Sequence, residues 1–487
     1  MHDRVTLGRR TLLVVLQYLV GAVVGLICVM LPARYFDVGV FGYVVGVGFS
    51  SYNILAFLSD LGLKQTHLSF VQRLDFAECN SSYALSKAML AAVVSLVFFL
   101  VSFLSGSSQI MYLFLLCAIL FTTRDVFVGI FDSRIETMKS QSSIIVEHLT
   151  RLLLTVVLTM LAIGRPEDTQ ALYLSLTFLL SMLASAFFAL LLIRGYPFGK
   201  PAYIREYFSA APAIAFMGGI DIIMLNADKL ILQFFVGSSE LGVYTGVNKI
   251  AQLVFYLSTA LVTILLPTVA SLDDESAARA TSFAERYLML VILPVAFLSM
   301  VLRDDIIRYL LPQDVFLSGG FSMVLLMLAT LLLASSRSEA VLLFARNRKR
   351  DATLLNSLLA ILYILSTVVL ADLYGIEGAA FAALVSGLFS FFAFRYASTK
   401  LGKEFLGKSI LKQLLAIIAA SLAVFFLGFF DPEEAEFLFF LFRITVGIII
   451  YGLVLIILRE LRLEDLTYAL ELVGGGNEGK RGGHGKK

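Results

Sequence analysis

The chain has no tryptophan, nine prolines, four histidines and three cysteines, and only 15% of its 487 residues are charged. Each shortage excludes something. A charged fraction well below the roughly 25% of soluble domains is too small to solvate a water-soluble protein of this size. Cys28, Cys79 and Cys117 are scattered, with no CxxC pair and no histidine cluster nearby, so the sequence offers no disulfide framework and no metal site. No cofactor is expected. The longest polar connections, near residues 63–82 and 303–320, are too short for a catalytic domain, and neither GxSxG nor HExxH occurs. No enzyme activity and no nucleic-acid partner are therefore expected. With tryptophan absent, tyrosine must supply any aromatic belt at a membrane interface.

What the chain has is apolar length. Hydrophobic residues make up 59% of it. Runs of about 20 apolar residues recur along nearly the whole sequence, the length an α-helix needs to cross roughly 30 Å of hydrocarbon. Alternating ten-residue segments of the β-barrel type are missing. The expected fold is therefore an all-α polytopic membrane protein. Fourteen crossings are predicted, near 11–32, 40–62, 83–104, 109–131, 143–164, 170–194, 207–236, 241–270, 283–302, 321–344, 354–372, 376–396, 409–430 and 436–458. The first follows Arg9-Arg10 like a signal peptide but lacks a clear small-residue cleavage site, so it is kept as a transmembrane helix. Connections on one side, including both termini, carry 27 basic residues; those on the other carry only Arg34, Arg165, Arg303 and Arg308. The bias of lysine and arginine toward the cytoplasm then predicts a multi-pass protein of the cell membrane with both ends inside. Ser398–Gln413 reads as a short amphipathic helix on the cytoplasmic surface, in contact with membrane lipids.

The chain also repeats. Tyr35-Phe-Asp-Val-Gly-Val-Phe-Gly-Tyr43 and Phe234-Phe-Val-Gly-Ser-Ser-Glu-Leu-Gly-Val-Tyr244 both place an aromatic pair, a small turn, then Gly and Tyr at the start of the returning helix. The offset of about 200 residues spans six crossings, an even number, so the repeat is parallel. The expected organisation is a first helical lobe over 1–200, a second over 201–400, two appended crossings within 401–472 and a disordered basic tail at 473–487. Two such lobes facing each other would enclose a central cavity.

Charge inside a membrane crossing is costly and marks candidate function. Asp221, Asp228, Lys229 and Lys249 flank the turn at Ser238-Ser239. Asp228 and Lys249 each lie ten residues from it, roughly 15 Å deep at 1.5 Å per residue, and are expected to face each other as an ion pair. Asp221 shares the Asp228 helix face. Lys229 points about 100° away from Asp228 and reads as the uncompensated cation. In the first lobe Glu147 and Arg151 are spaced i,i+4, Arg124 is nearby, and Asp125 roughly matches Arg151 in depth. Arg337 lies in the cytoplasmic half of the tenth crossing, within reach of the headgroups. Lys87 and Asp60 are expected to reach toward the headgroups. His148, beside Glu147, reads most simply as a hydrogen-bonded helical histidine. Gly402–Ser409 fits the phosphate-loop pattern and Gly474–Gly479 fits GxGxxG, but neither joins a strand to a helix, so neither is read as a nucleotide site.

Several stretches resemble one family. Asn226-Ala-Asp-Lys-Leu-Ile-Leu, then Gly-Val-Tyr-Thr-Gly-Val-Asn-Lys-Ile-Ala and Leu-Leu-Pro267, are similar to the polysaccharide and lipid-linked oligosaccharide flippases of the multidrug/oligosaccharidyl-lipid/polysaccharide exporter superfamily. Leu31-Pro-Ala-Arg34 through Asp60-Leu-Gly-Leu resembles their first hairpin, and Glu377-Gly-Ala-Ala-Phe-Ala-Ala their twelfth crossing. The resemblance covers about residues 10–460. It implies a MATE-like fold of two bundles opening alternately to each side. The implied substrate is a glycan on a polyprenyl (di)phosphate, moved to the outer leaflet. Cavity cations would meet the diphosphate or acidic sugars, a role that falls on Arg34, Arg151, Lys229 and Lys249, with Arg124 and Arg337 as further candidates. Asp221, Asp228 and Glu147 are candidates for ion coupling. Glycosyltransferases or a glycan polymerase are the implied partners, and the transporter is expected to act as a monomer. The sister family of cation-coupled drug antiporters is the alternative; there an acidic cavity would dominate.

Overall fold

The structure is a computed structural model. It describes residues 2–460 apart from 107, 219, 271, 347, 405–406 and 431–435; the side chains of 2–16, 18, 19, 212–214, 216–218, 220, 260–268, 270 and 349 are not described. The expected tail at 473–487 lies outside the described residues. These residues form helices and turns and no strand.

The first half contains α1 (His2–Tyr35), α2 (Val38–Phe41), a π-helical run Gly42–Gly48, α3 (Phe49–Asp60), α4 (Leu63–Phe70), α5 (Phe76–Leu104), α6 (Gln109–Ser133), α7 (Thr137–Ala162) and α8 (Glu167–Leu192). The second contains α9 (Ile204–Gly218), α10 (Ile220–Leu232), α11 (Ser238–Ala270), α12 (Asp274–Val301), α13 (Arg303–Leu310), α14 (Gly320–Ala345) and α15 (Lys349–Thr399); α16 (Lys408–Leu427) and α17 (Glu436–Ile457) follow. Among the described residues, ten helical segments are long and apolar enough to cross a membrane. One of them, within α15, is two crossings. Gly375 breaks it at φ 56°, ψ −132°, a backbone conformation open to glycine and strained for residues with a Cβ. Ala352 and Phe394 then share one buried cluster, which requires the chain to fold back between them. The α1, α9–α10 and α11 segments occupy the remaining predicted crossings, so each of the fourteen has a helix at its place.

The repeat becomes physical at the face opposite the start of α1 and the end of α17. Gly42 and Gly242 bring the two repeated hairpins into backbone contact. A Cβ at Gly42 would stand 2.4 Å from the Gly242 nitrogen and 2.6 Å from the Ser238 carbonyl oxygen; a Cβ at Gly242 would stand 2.1 Å from the Val38 carbonyl oxygen. Gly42 meets Ser238 as Gly242 meets Val38, the reciprocal pattern of a two-fold contact. Glycine allows it because only a missing side chain lets helices approach so closely. Gln313 reinforces this face by donating to the carbonyls of Ala33 in α1 (2.7 Å) and of Phe36 just after it (2.8 Å).

The opposite end is held differently. The α9 helix packs against α4 and α5, while α10 packs against α3 and α15. The predicted amphipathic surface helix at Ser398–Gln413 is not formed. After α15 ends at Thr399 the chain turns, and Lys403 dives between Glu285 and Glu339, 2.6 Å from each. Arg395 completes this buried network by pairing with Glu285. Two buried carboxylates on α12 and α14 recruit the lysine inward, where paired charges avoid the cost of burial alone.

Candidate functional site

The middle of the bundle gathers charge from helices far apart in sequence. Glu147 on α7 bridges two guanidiniums, Arg124 on α6 through one carboxylate oxygen and Arg151, one turn along α7, through the other. Aromatic rings carry both cations. Arg124 lies over Phe121 at 4.7 Å, and Arg151 over Phe178 at 5.2 Å and Phe49 at 6.0 Å. From the other side of the repeat, Lys249 on α11 reaches the same Phe49 ring, 4.9 Å from its centroid, and donates to Gln252 at 3.3 Å. No carboxylate pairs with Lys249 among the described residues. Phe49 therefore joins a cation from each half of the repeat. Two guanidiniums share one carboxylate and Lys249 has none, so the group keeps a net positive charge in a weakly polar setting, where it attracts anions strongly.

The expected Asp228–Lys249 pair is not formed. Lys229 turns back on Asp228 instead, with Nζ at 2.9 and 3.1 Å from the two carboxylate oxygens and 2.8 Å from the Leu225 carbonyl. Tyr244 (2.7 Å) and Asn248 (3.0 Å) donate to the same carboxylate, and Tyr363 lies against it. Lys229 is thus compensated and fully buried, and Lys249 is the open cation. The adjacent Cβ atoms diverge by about 100°, but a four-carbon stem spans that divergence. Arg337 pairs with Asp221 and covers the Phe255 ring at 4.1 Å. Arg34 is exposed in the last turn of α1 and makes no ion pair with the central group.

Asp125 does not meet Arg151. It belongs to a second network with Lys64 (3.4 Å) and Lys87, while Lys64 also pairs with Asp132 at 3.0 Å. Lys87 does not reach the headgroups; it is fully buried and pairs with Asp60 at 2.7 Å as well. Removing a buried partner strands its counter-charges, typically at about 3–5 kcal/mol. Lys87→Met should accordingly lower the melting temperature of the purified protein by several degrees, and an unchanged melt would show that the two aspartates are satisfied without it.

Sequence reasoning found Glu147–Arg151 from its spacing but missed the role of Phe49 and the whole Arg395–Glu285–Lys403–Glu339 network. The available signal was the presence of Glu285 and Glu339 within crossings nine and ten, both needing cations. The described residues contain no cluster of ligand side chains suited to a metal ion.

Residues 7–273 match the family described as polysaccharide biosynthesis protein. No curated protein matches the chain. Solved structures of similar fold include a lipid II flippase, MurJ, in an inward closed conformation, with a TM-score of 0.73 at 13% identity over 91% of this chain and 98% of that one. An inward-facing multidrug resistance MATE family transporter of the MOP superfamily gives 0.62 at 11% identity, over 78% and 94%. A MOP superfamily transporter from Pyrococcus furiosus gives 0.55 at 11%, over 81% and 96%. These likenesses establish the expected MATE-like helical fold.

Proposed function

The chain belongs to the polysaccharide biosynthesis protein family, and from that premise we propose that it is a flippase for a glycan carried on a polyprenyl (di)phosphate. The observation that carries this reading is the charge count at Phe49: Arg124, Arg151 and Lys249 against Glu147 alone. A diphosphate supplies the missing negative charge, and arginine's planar donors suit phosphate oxygens. A drug antiporter needs the opposite sign. In this reading the lipid tail stays in the bilayer while the head crosses between the lobes at 1–200 and 201–400, with 401–472 appended. The basic bias of the connections puts the termini in the cytoplasm and the Gly42–Gly242 contact at the outer face. Of the three acids considered for ion coupling, Glu147 and Asp228 are committed to buried pairs, while Asp221 keeps a third of its side chain exposed. The transporter acts as a monomer on lipid-linked glycan made by glycosyltransferases and consumed by a polymerase, and makes or breaks no covalent bond itself.

Deleting the gene should leave lipid-linked glycan stranded on the cytoplasmic leaflet and remove the surface polysaccharide it feeds, with both restored by the wild-type chain. Expression in a drug-sensitive host should leave resistance to cationic dyes such as ethidium unchanged. Normal surface glycan in the deletion, or dye resistance on expression, would overturn the reading.

A further inference from the structure

We propose that Glu147 is a resident stand-in for the substrate's diphosphate: it occupies the arginine pair while the site is empty and competes with the head group for it. This rests on the flippase reading above and specifies how that site releases what it binds.

The geometry is that of a bridging anion. Each Glu147 oxygen takes a guanidinium from a different helix, Arg124 of α6 and Arg151 of α7. A single phosphoryl group between two arginines would make the same connection. The arginines are not saturated by it. The Nε donors of Arg124 and Arg151 are both buried and make no hydrogen bond among the described residues, where Arg124 otherwise reaches Ser185, at 3.5 Å. Each guanidinium presents five donors, and one carboxylate has too few oxygens for the pair. Rings hold both planes, over Phe121 and over Phe178 and Phe49, so their edges stay fixed. The result is a preorganised site with spare donors and a weak anion already in place.

Such an occupant solves two problems. With the site empty, it prevents two guanidiniums from lying buried without a counter-charge, which would cost more than the pair itself. With substrate bound, like charge pushes the carboxylate away from the diphosphate, so it subtracts from affinity. Transport needs binding that is favourable enough to load and weak enough to unload. When the lobes rearrange, Glu147 can retake its two partners and displace the head group.

The test uses the purified full-length chain, with farnesyl diphosphate as the probe for binding and melting and a fluorescent polyprenyl-diphosphate glycan for turnover in vesicles. Glu147→Gln keeps the shape and removes the charge. It should melt lower than wild type without ligand, bind farnesyl diphosphate at least about tenfold tighter, a gain of roughly 1.4 kcal/mol, and turn over about tenfold more slowly. Glu147→Asp keeps the charge on a shorter stem that cannot span both arginines. It should bind about threefold tighter, and it carries the test if the glutamine variant fails to fold. A purely structural glutamate predicts weaker binding in both variants. Wild type that binds the probe while both variants bind it equally or more weakly would overturn this role and leave the flippase reading intact. Wild type that binds neither farnesyl diphosphate nor inorganic pyrophosphate would overturn both.

Discussion

Lys249→Glu should abolish transport while leaving the protein folded. The substitution converts the cation that α11 brings to Phe49 into an anion. The central group then has two cations against two carboxylates instead of three against one. The new carboxylate would also compete with substrate for Arg151, which shares the Phe49 ring. Losing one member of a desolvated charge pair commonly costs about 2–5 kcal/mol, a factor of roughly 30 to several thousand in binding. Folding should survive because Lys249 is partly exposed and its side chain makes a single hydrogen bond, to Gln252. Lys249→Arg should retain most activity and Lys249→Met should be intermediate. The measurement is surface polysaccharide against membrane abundance of each variant; normal glycan with normal abundance in Lys249→Glu would remove Lys249 from the substrate path.

Gly242→Val should break the cycle from the other end. A Cβ there would overlap the Val38 carbonyl at 2.1 Å, and this atom belongs to helix backbone, not to a flexible side-chain tip. The two hairpins must separate, so the state closed at this face loses stability. Overpacking costs about 1–3 kcal/mol, enough to shift a two-state population by roughly fivefold to a little over a hundredfold. Gly237 provides the control, because nothing lies within 4 Å of a Cβ placed there. The buried natural cysteines, Cys28, Cys79 and Cys117, can be replaced and Leu241→Cys added as a reporter, since Leu241 is buried beside the contact. Gly242→Val should raise labelling of that reporter by a membrane-impermeant maleimide and cut transport by a similar factor. Gly237→Val should do neither. Equal labelling in all three would mean the glycine contact is not a gate.

These two positions also show what could be read from sequence. The parallel repeat and its offset were legible in the hairpin residues, but nothing in them says that Gly42 and Gly242 touch, since contact depends on how two bundles lean together. Helix arithmetic placed Asp228 and Lys249 at equal depth. It failed on their pairing because depth ignores side-chain reach: Lys229 curls back to its neighbour's carboxylate and to the Leu225 carbonyl. The spacing of Glu147 and Arg151 was enough to foresee their pair, as both sit on one helix face. Arg124 and Phe49 join through tertiary packing alone. Lys87 reads as a headgroup residue from its place near a crossing end, and Lys403 as a surface residue from its basic, amphipathic stretch; both are buried because carboxylates from distant helices wait for them.

The proposed transport carries an anionic lipid head past the Phe49 cations. It is tested most directly by reconstituting the protein into liposomes with a fluorescent glycan on a polyprenyl diphosphate and following its arrival at the opposite leaflet by dithionite quenching. Wild type should transfer the probe well above protein-free vesicles, and Lys249→Glu should transfer it at the protein-free rate. Wild type no faster than empty vesicles, or Lys249→Glu as fast as wild type, would contradict it.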